Sequence, residues 1–225
     1  MTYYKKHDEI AKLPLDIVKE CIEYGETCLN QKMPMIAWYG PLGDTMYNKN
    51  YILKLDEEGK DKNNTGGVGF YSFPKELFFK IKDFYTEVNH PLIHFNTYLL
   101  QVVSGGSYVA PHSDDVGPRQ KGMIYMIKSG GSNVKTVWYE IKPELIGTSH
   151  VPESKFYLSY NILDKKEEHI LEENTWHFMN FEAIHSVENQ ESVRMAIWGF
   201  NLNEGIAHHL PAFAQEHLAM LNQTP

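Results

Sequence analysis

The chain has 225 residues, of which 42% are apolar and 22% charged; this balance is ordinary for a folded domain and excludes a disordered chain. Its longest uninterrupted apolar run, Met195 to Phe200 with Gly199 inside it, falls far short of the ~20 residues that cross a bilayer as a helix. A formal charge of −8 offers no overall field to hold a phosphate backbone, so nucleic acid is a poor expectation for a partner. The first sixteen residues, with Lys5, Lys6, His7, Asp8 and Glu9 among them, lack the apolar core of a signal peptide, and the expected location is the cytoplasm.

In chain order, residues 14–29 read as a helix, with Pro14 in the first turn and Leu15, Val18 and Ile22 on one stripe. Cys21 and Cys28, the only cysteines, sit seven apart near one face and read as buried free thiols. Residues 40–67 are rich in Gly, Asn, Asp and Lys, as exposed loops are, around a short strand at Tyr51–Leu55. The clearest helix is 74–88: Pro74 opens it, Leu77, Phe78, Ile81, Phe84, Tyr85 and Val88 keep the 3.6 period, and Asn89-His90-Pro91 stops it. Short aromatic and β-branched runs follow at His94–Val103, Tyr108–His112, Gly122–Lys128, Val134–Glu140, Phe156–Ile162, His169–Leu171, Thr175–Phe181 and Val193–Asn201. Strands this short and this many, with no long helix between them, predict a sandwich or barrel rather than a parallel βαβ sheet. A last helix is expected from Pro211 to Leu221. The expectation is one domain over 1–225: helical support in 1–91, a mainly β core in 92–203 and a closing helix in 204–225.

Three features carry chemistry. His112 and Asp114 stand two apart at a strand end, so they point to the same side and could hold one ion. His185 and, nine residues later, Arg194 are the second and third. The chain uses lysine for nearly all its cations and has only two arginines, Arg119 and Arg194. Arg194 alternates with Ala196, Trp198 and Phe200 in a strand apolar on both faces, so it is expected to be buried and to need an anion. That anion is either a structural Asp or Glu or the carboxylate of a ligand held by the planar fork. Two histidines and one carboxylate leave about three positions of an ion open, as in non-haem Fe(II) oxygenases. A closed zinc site would want a fourth ligand, usually cysteine, and neither cysteine is near.

With these residues in place, the sequence resembles the Fe(II)- and 2-oxoglutarate-dependent dioxygenases, especially their prolyl-4-hydroxylase-like branch. The matching stretches are Leu99–Asp114, Arg119–Glu140 and His177–Phe200, in the family's order over a span of about 100 residues. The resemblance implies a double-stranded β-helix, a jelly-roll or cupin-like core with flanking α-helices. It implies Fe(II) held by His112, Asp114 and His185, and 2-oxoglutarate as cosubstrate with its 5-carboxylate on Arg194. O₂ would be the oxidant and ascorbate an accessory reductant. Succinate and CO₂ would be released as a C–H bond is hydroxylated, on a prolyl or other amino-acid side chain. The implied substrate is a small molecule, peptide or protein; no membrane partner is expected, and the oligomeric state stays open.

Where relatives often carry a tyrosine supporting the 5-carboxylate, this chain has Met126, and Tyr125 would serve only if the register slipped by one. Tyr108, four residues before His112, is a cosubstrate contact or equally a core aromatic; Gln101 is a weaker candidate beside it. Asp115 points to the other side of the strand and reads as a turn residue. His177 reads as a packed core histidine, His208 and His209 as solvated or capping, and Arg119 as a surface residue. The nucleic-acid demethylases of the superfamily carry a second arginine six residues after the first, where this chain has Phe200. The main rival is a cupin-type metal protein without 2-oxoglutarate: Gly106 and the His185–Asn189 spacing echo its motifs, but it leaves Arg194 without a role.

Overall fold

The computed structural model describes residues 2–31, 68–95, 97–103, 109–114, 121–151 and 158–200. The expected strand at 51–55, the expected closing helix at 211–221, and Tyr108, Asp115, Arg119, His208 and His209 lie outside them. Within them, ten strands and two α-helices form: β1 (Tyr4–His7), α1 (Leu15–Gln31), β2 (Val68–Ser72), α2 (Lys75–Val88), β3 (Thr97–Val103), β4 (Val109–His112), β5 (Lys121–Lys128), β6 (Lys135–Ile141), β7 (Leu163–Ile170), β8 (Thr175–Asn180), β9 (Ile184–Glu188) and β10 (Arg194–Phe200). Among the described residues no helix is long and apolar enough to cross a membrane.

The strands lie in two antiparallel sheets, ordered β1-β8-β5-β10-β3-β2 and β4-β9-β6-β7. From β3 onward the chain changes sheet at every connection except the β6–β7 pair. The eight strands β3–β10 thus make two facing four-stranded halves, and β1 and β2 extend the larger sheet at its two edges. That strand order is a jelly roll. The fold is a double-stranded β-helix, mainly β as expected.

Period-2 alternation divides each strand of the larger sheet between two cores. One face, with Tyr98, Leu100, Val102, Tyr125, Ile127, Trp176, Met195 and Ile197, packs under the two helices. Tyr125 belongs there, its hydroxyl accepting from the Leu13 amide at 3.1 Å. The opposite face, with Leu99, Ile124, Met126, Ala196 and Trp198, meets Trp138 and Phe181 between the sheets. Met126 therefore faces inward and Tyr125 does not, as the unslipped register required.

Helix α2 follows the expectation, with Leu77, Phe78, Ile81 and Tyr85 buried, and ends at Asn89 in the left-handed region (φ 50°). In α1 the expected stripe holds at Val18, which is buried, and at Ile22, which packs against the core, but not at Leu15. Leu15 is 78% exposed, and the buried face is Ile17, Val18, Cys21 and Cys28, so both cysteines are buried and neither forms a disulfide. The support over 1–91 is also not purely helical, since β1 and β2 join the sheet.

Strand β1 ties the two sheets together. It pairs with β8, and two tyrosines at its start reach across: Tyr3, just before the strand, donates from Oη to Glu140 Oε1 at 2.6 Å, and Tyr4 stacks on His169 with 4.1 Å between ring centres. Tyr4 Oη also meets His177 Nδ1 at 3.0 Å, while His177 Nε2 meets the Glu172 carbonyl at 2.8 Å. A carbonyl only accepts, so Nε2 carries the proton and the tyrosine donates to Nδ1. His177 is thus a packed core histidine, locked neutral. Burial pushes its pKa down to about 4, whereas the unfolded chain takes up that proton near 6.5. The stability that neutral His177 contributes is complete above about pH 6.5 and is lost as pH falls toward 4. Wild type should lose about 2 kcal/mol from this residue by pH 5. Urea unfolding of wild type beside His177→Gln checks this, the stability gap between them narrowing by that amount from pH 7.5 to pH 5. A gap independent of pH would show that His177 does not titrate on unfolding.

Candidate metal centre

His112 and His185 are directly opposite each other in the β4–β9 ladder, so their side chains leave the same face of the smaller sheet, toward the space between the sheets. Their rings lie 4.4 Å apart. Asp114 follows β4, and its amide donates to the Phe181 carbonyl at 2.8 Å, while Ser113 Oγ donates to the Glu182 carbonyl at 2.7 Å. These two bonds clamp the His-x-Asp segment against the loop that leads into β9. Donor atoms of His112, Asp114 and His185 all fall within 4.8 Å of one another, and all three residues are buried. His112 Nε2 is 3.5 Å from Asp114 Oδ1.

The chemistry of this cluster fits a cation. Asp114 is 8% exposed, and among the described residues no lysine or arginine pairs with it; a buried carboxylate without a counter-charge is costly. His185 Nδ1 lies 2.9 Å from the Ala183 carbonyl, so Nδ1 carries the proton and Nε2 is left with its lone pair, the outer-sphere arrangement typical of a metal-binding imidazole. Burial, reinforced by His112, pushes the His185 imidazole down to about 4, which keeps it unprotonated at neutral pH. Three ligands of this kind leave room for further ligands on a six-coordinate ion.

Arg194 opens β10 in the same space. It is 4% exposed, and among the described residues its guanidinium faces no carboxylate; its one hydrogen bond there is to Thr136 Oγ1 at 3.4 Å. Burial pulls its pKa down to about 10, so it stays charged at pH 7. Gly130, at φ +89°, allows the close approach of the β5–β6 turn: a Cβ there would stand 3.1 Å from Arg194 Cβ. Its carbonyl accepts from the amides of Glu191 and Ser192, which anchors the start of β10.

Register relates the arginine to the triad. On β6, Trp138 is opposite His185 and Thr136 opposite Val187. Thr136 thus lies two residues, about 7 Å, along the strand from the level of His185, the scale of an extended five-carbon diacid. Sequence reasoning singled out the triad and Arg194 but not Thr136. The available signal was the alternation in Lys135–Ile141, which places Thr136 on the same face as Trp138.

No protein-family profile matches the chain, and no curated protein matches it. Among solved structures it is similar to a prolyl-4-hydroxylase from Pseudomonas putida, at 10% identity and TM-score 0.46 over 90% of this chain and 94% of that one. It is similar to the non-heme alpha-ketoglutarate-dependent epimerase SnoN from nogalamycin biosynthesis, at 11% identity and TM-score 0.47 over 93% and 85%. The viral collagen prolyl hydroxylase of Paramecium bursaria Chlorella virus-1 follows at 15% identity and TM-score 0.37 over 90% and 97%. The fold rests on the strand order above, and the chemistry on the side chains of this chain.

Proposed function

We propose that this chain is an Fe(II)- and 2-oxoglutarate-dependent dioxygenase that hydroxylates a C–H bond and releases succinate and CO₂. The observation that carries the reading is Arg194: a buried cation with no carboxylate facing it among the described residues, in the same inter-sheet space as a buried His-Asp-His cluster. The cupin alternative leaves that cation without a role, which favours a dicarboxylate cosubstrate.

In this reading His112, Asp114 and His185 hold Fe(II) and leave its remaining positions toward the space between the sheets. Arg194 grips the distal carboxylate of 2-oxoglutarate through its planar fork, and Thr136 adds a hydroxyl beside it. Met126 and Ala196 form an apolar wall that excludes water and strengthens the charge-assisted bonds. Iron with 2-oxoglutarate and O₂ supplies the oxidising power, which no side chain of the cluster has. The substrate class, a prolyl or other amino-acid side chain in a small molecule, peptide or protein, rests on the sequence resemblance.

Anaerobic addition of Fe(II) and 2-oxoglutarate tests the reading. A weak visible charge-transfer band should appear only when both are present, and succinate should form on admitting air, faster with a matching amino-acid or peptide substrate. Protein that binds iron yet gives neither band nor succinate would return the choice to the cupin.

A further inference from the structure

Gln101 is the one residue of β3 that is not fully buried. It pairs with Ala196 on one side and Phe70 on the other, both members of the inter-sheet cluster, so it stands in an apolar wall facing the same space as the triad. A carboxamide there carries two N–H donors and an acceptor oxygen that each want a partner.

Trp198 Nε1, which can only donate, meets Gln101 Oε1 at 3.1 Å. That bond turns the oxygen toward the indole and the –NH₂ away from it, with no acceptor for the –NH₂ among the described residues. The indole is itself held, stacked on Phe181 with 4.5 Å between ring centres and 17° between planes, and Phe181 lies 5.3 Å from the His185 ring. Along β10, Arg194 pairs with Val103, Ala196 with Gln101 and Trp198 with Leu99. Gln101 thus falls between the buried cation and the tryptophan that flanks the triad, and its amide reaches toward the tryptophan end.

We infer that Gln101 is a binding residue for the 2-oxo acid, its –NH₂ donating to an acceptor oxygen at the triad end of that ligand, with Trp198 as the positioning residue that holds the amide in this orientation. The inference rests on the function proposed above. A neutral donor suits that end: the metal already supplies positive charge, and an amide adds direction without repelling it.

The test uses Mn(II)-loaded protein without oxygen and calorimetric titration of 2-oxoglutarate, so no turnover is needed. Gln101→Met keeps the side-chain volume and removes both donors; affinity should fall roughly fivefold or more, the worth of one hydrogen bond. Gln101→Glu puts a carboxylate against the ligand and should weaken binding further, by at least tenfold. Trp198→Phe keeps the stacked ring and removes the N–H, so it should weaken binding in the wild-type background and add nothing in the Gln101→Met background. In Fe(II) protein the charge-transfer band should shift in Gln101→Met, a change that altered packing alone would not produce. Wild-type affinity in Gln101→Glu, or Trp198 and Gln101 effects that simply multiply, would overturn the inference while the proposed function stands. A wild type that holds Mn(II) and binds no 2-oxoglutarate would overturn both.

Discussion

Asp114→Ala should lose tight Fe(II) binding, by at least about a hundredfold, while Asp115→Ala stays near wild type. Loss of a residue that merely supports a metal ligand costs 10- to 100-fold in affinity, and Asp114 would itself be a ligand. It would also be the only one of the three to bring negative charge against the ion. In the sequence Asp115 reads as a turn residue outside the ligand set. Stability should respond in the opposite sense. In metal-free protein Asp114 is a buried carboxylate with no lysine or arginine paired to it among the described residues, so removing it should leave the apo protein no less stable. The bonds from the Asp114 amide and the Ser113 hydroxyl survive the substitution. Metal titration beside thermal unfolding of the chelated protein reads both signs, and equal iron affinity in the two variants would move the ligand set elsewhere.

Arg194→Lys should weaken 2-oxoglutarate binding by at least tenfold and leave Fe(II) affinity unchanged. Removing one partner of a buried ion pair costs ~3–5 kcal/mol. Lysine keeps the charge but replaces a planar fork with a point donor, and tenfold needs only ~1.4 kcal/mol of that. The contact with Thr136 Oγ1 is also lost or re-aimed, because an ammonium on a flexible stem does not reproduce the guanidinium plane. The measurement is titration of 2-oxoglutarate into anaerobic Fe(II) protein, with circular dichroism to confirm folding. A folded variant with unchanged affinity would remove Arg194 from the cosubstrate's distal end.

Most strands in the middle of the sheets were legible in the sequence, the exception being β9 (Ile184–Glu188). β3, β5, β6, β8 and β10 each have neighbours on both sides and are apolar enough to read as strands at once. The edge strand β4 was legible as Tyr108–His112, but two other edges were hidden by charge, which on an edge keeps other chains from adding to it. β7, with its run Asp164–Glu168, showed only its end, and β1, carrying Lys5 and Lys6, showed nothing. The strand expected at 156–162 gives way at Tyr160–Ile162 to a 3₁₀ turn. Its apolar residues Leu158 and Ile162 fill the outer face of the smaller sheet, a packing role that alternation in a short run does not distinguish from a strand. At the site, His112, Asp114, His185 and Arg194 could be read from spacing and from arginine's rarity. Thr136 and the Trp198–Gln101 bond could not, since both depend on which strands become neighbours.

The pairing of β1 with β8 also has a consequence in time. On the ribosome Tyr4 is made first, and its strand partner Met179 follows about 175 residues later; at ~5–20 residues per second that is a wait on the order of ten to thirty seconds. The metal cluster is divided in the same way. His112 and Asp114 emerge together, but His185, opposite His112 in the finished ladder, comes about 70 residues afterward. Under the proposed function a growing chain would therefore offer an iron ion two ligands early and the third only when most of the barrel has been synthesised, so loading would follow closure of the sheets rather than guide it.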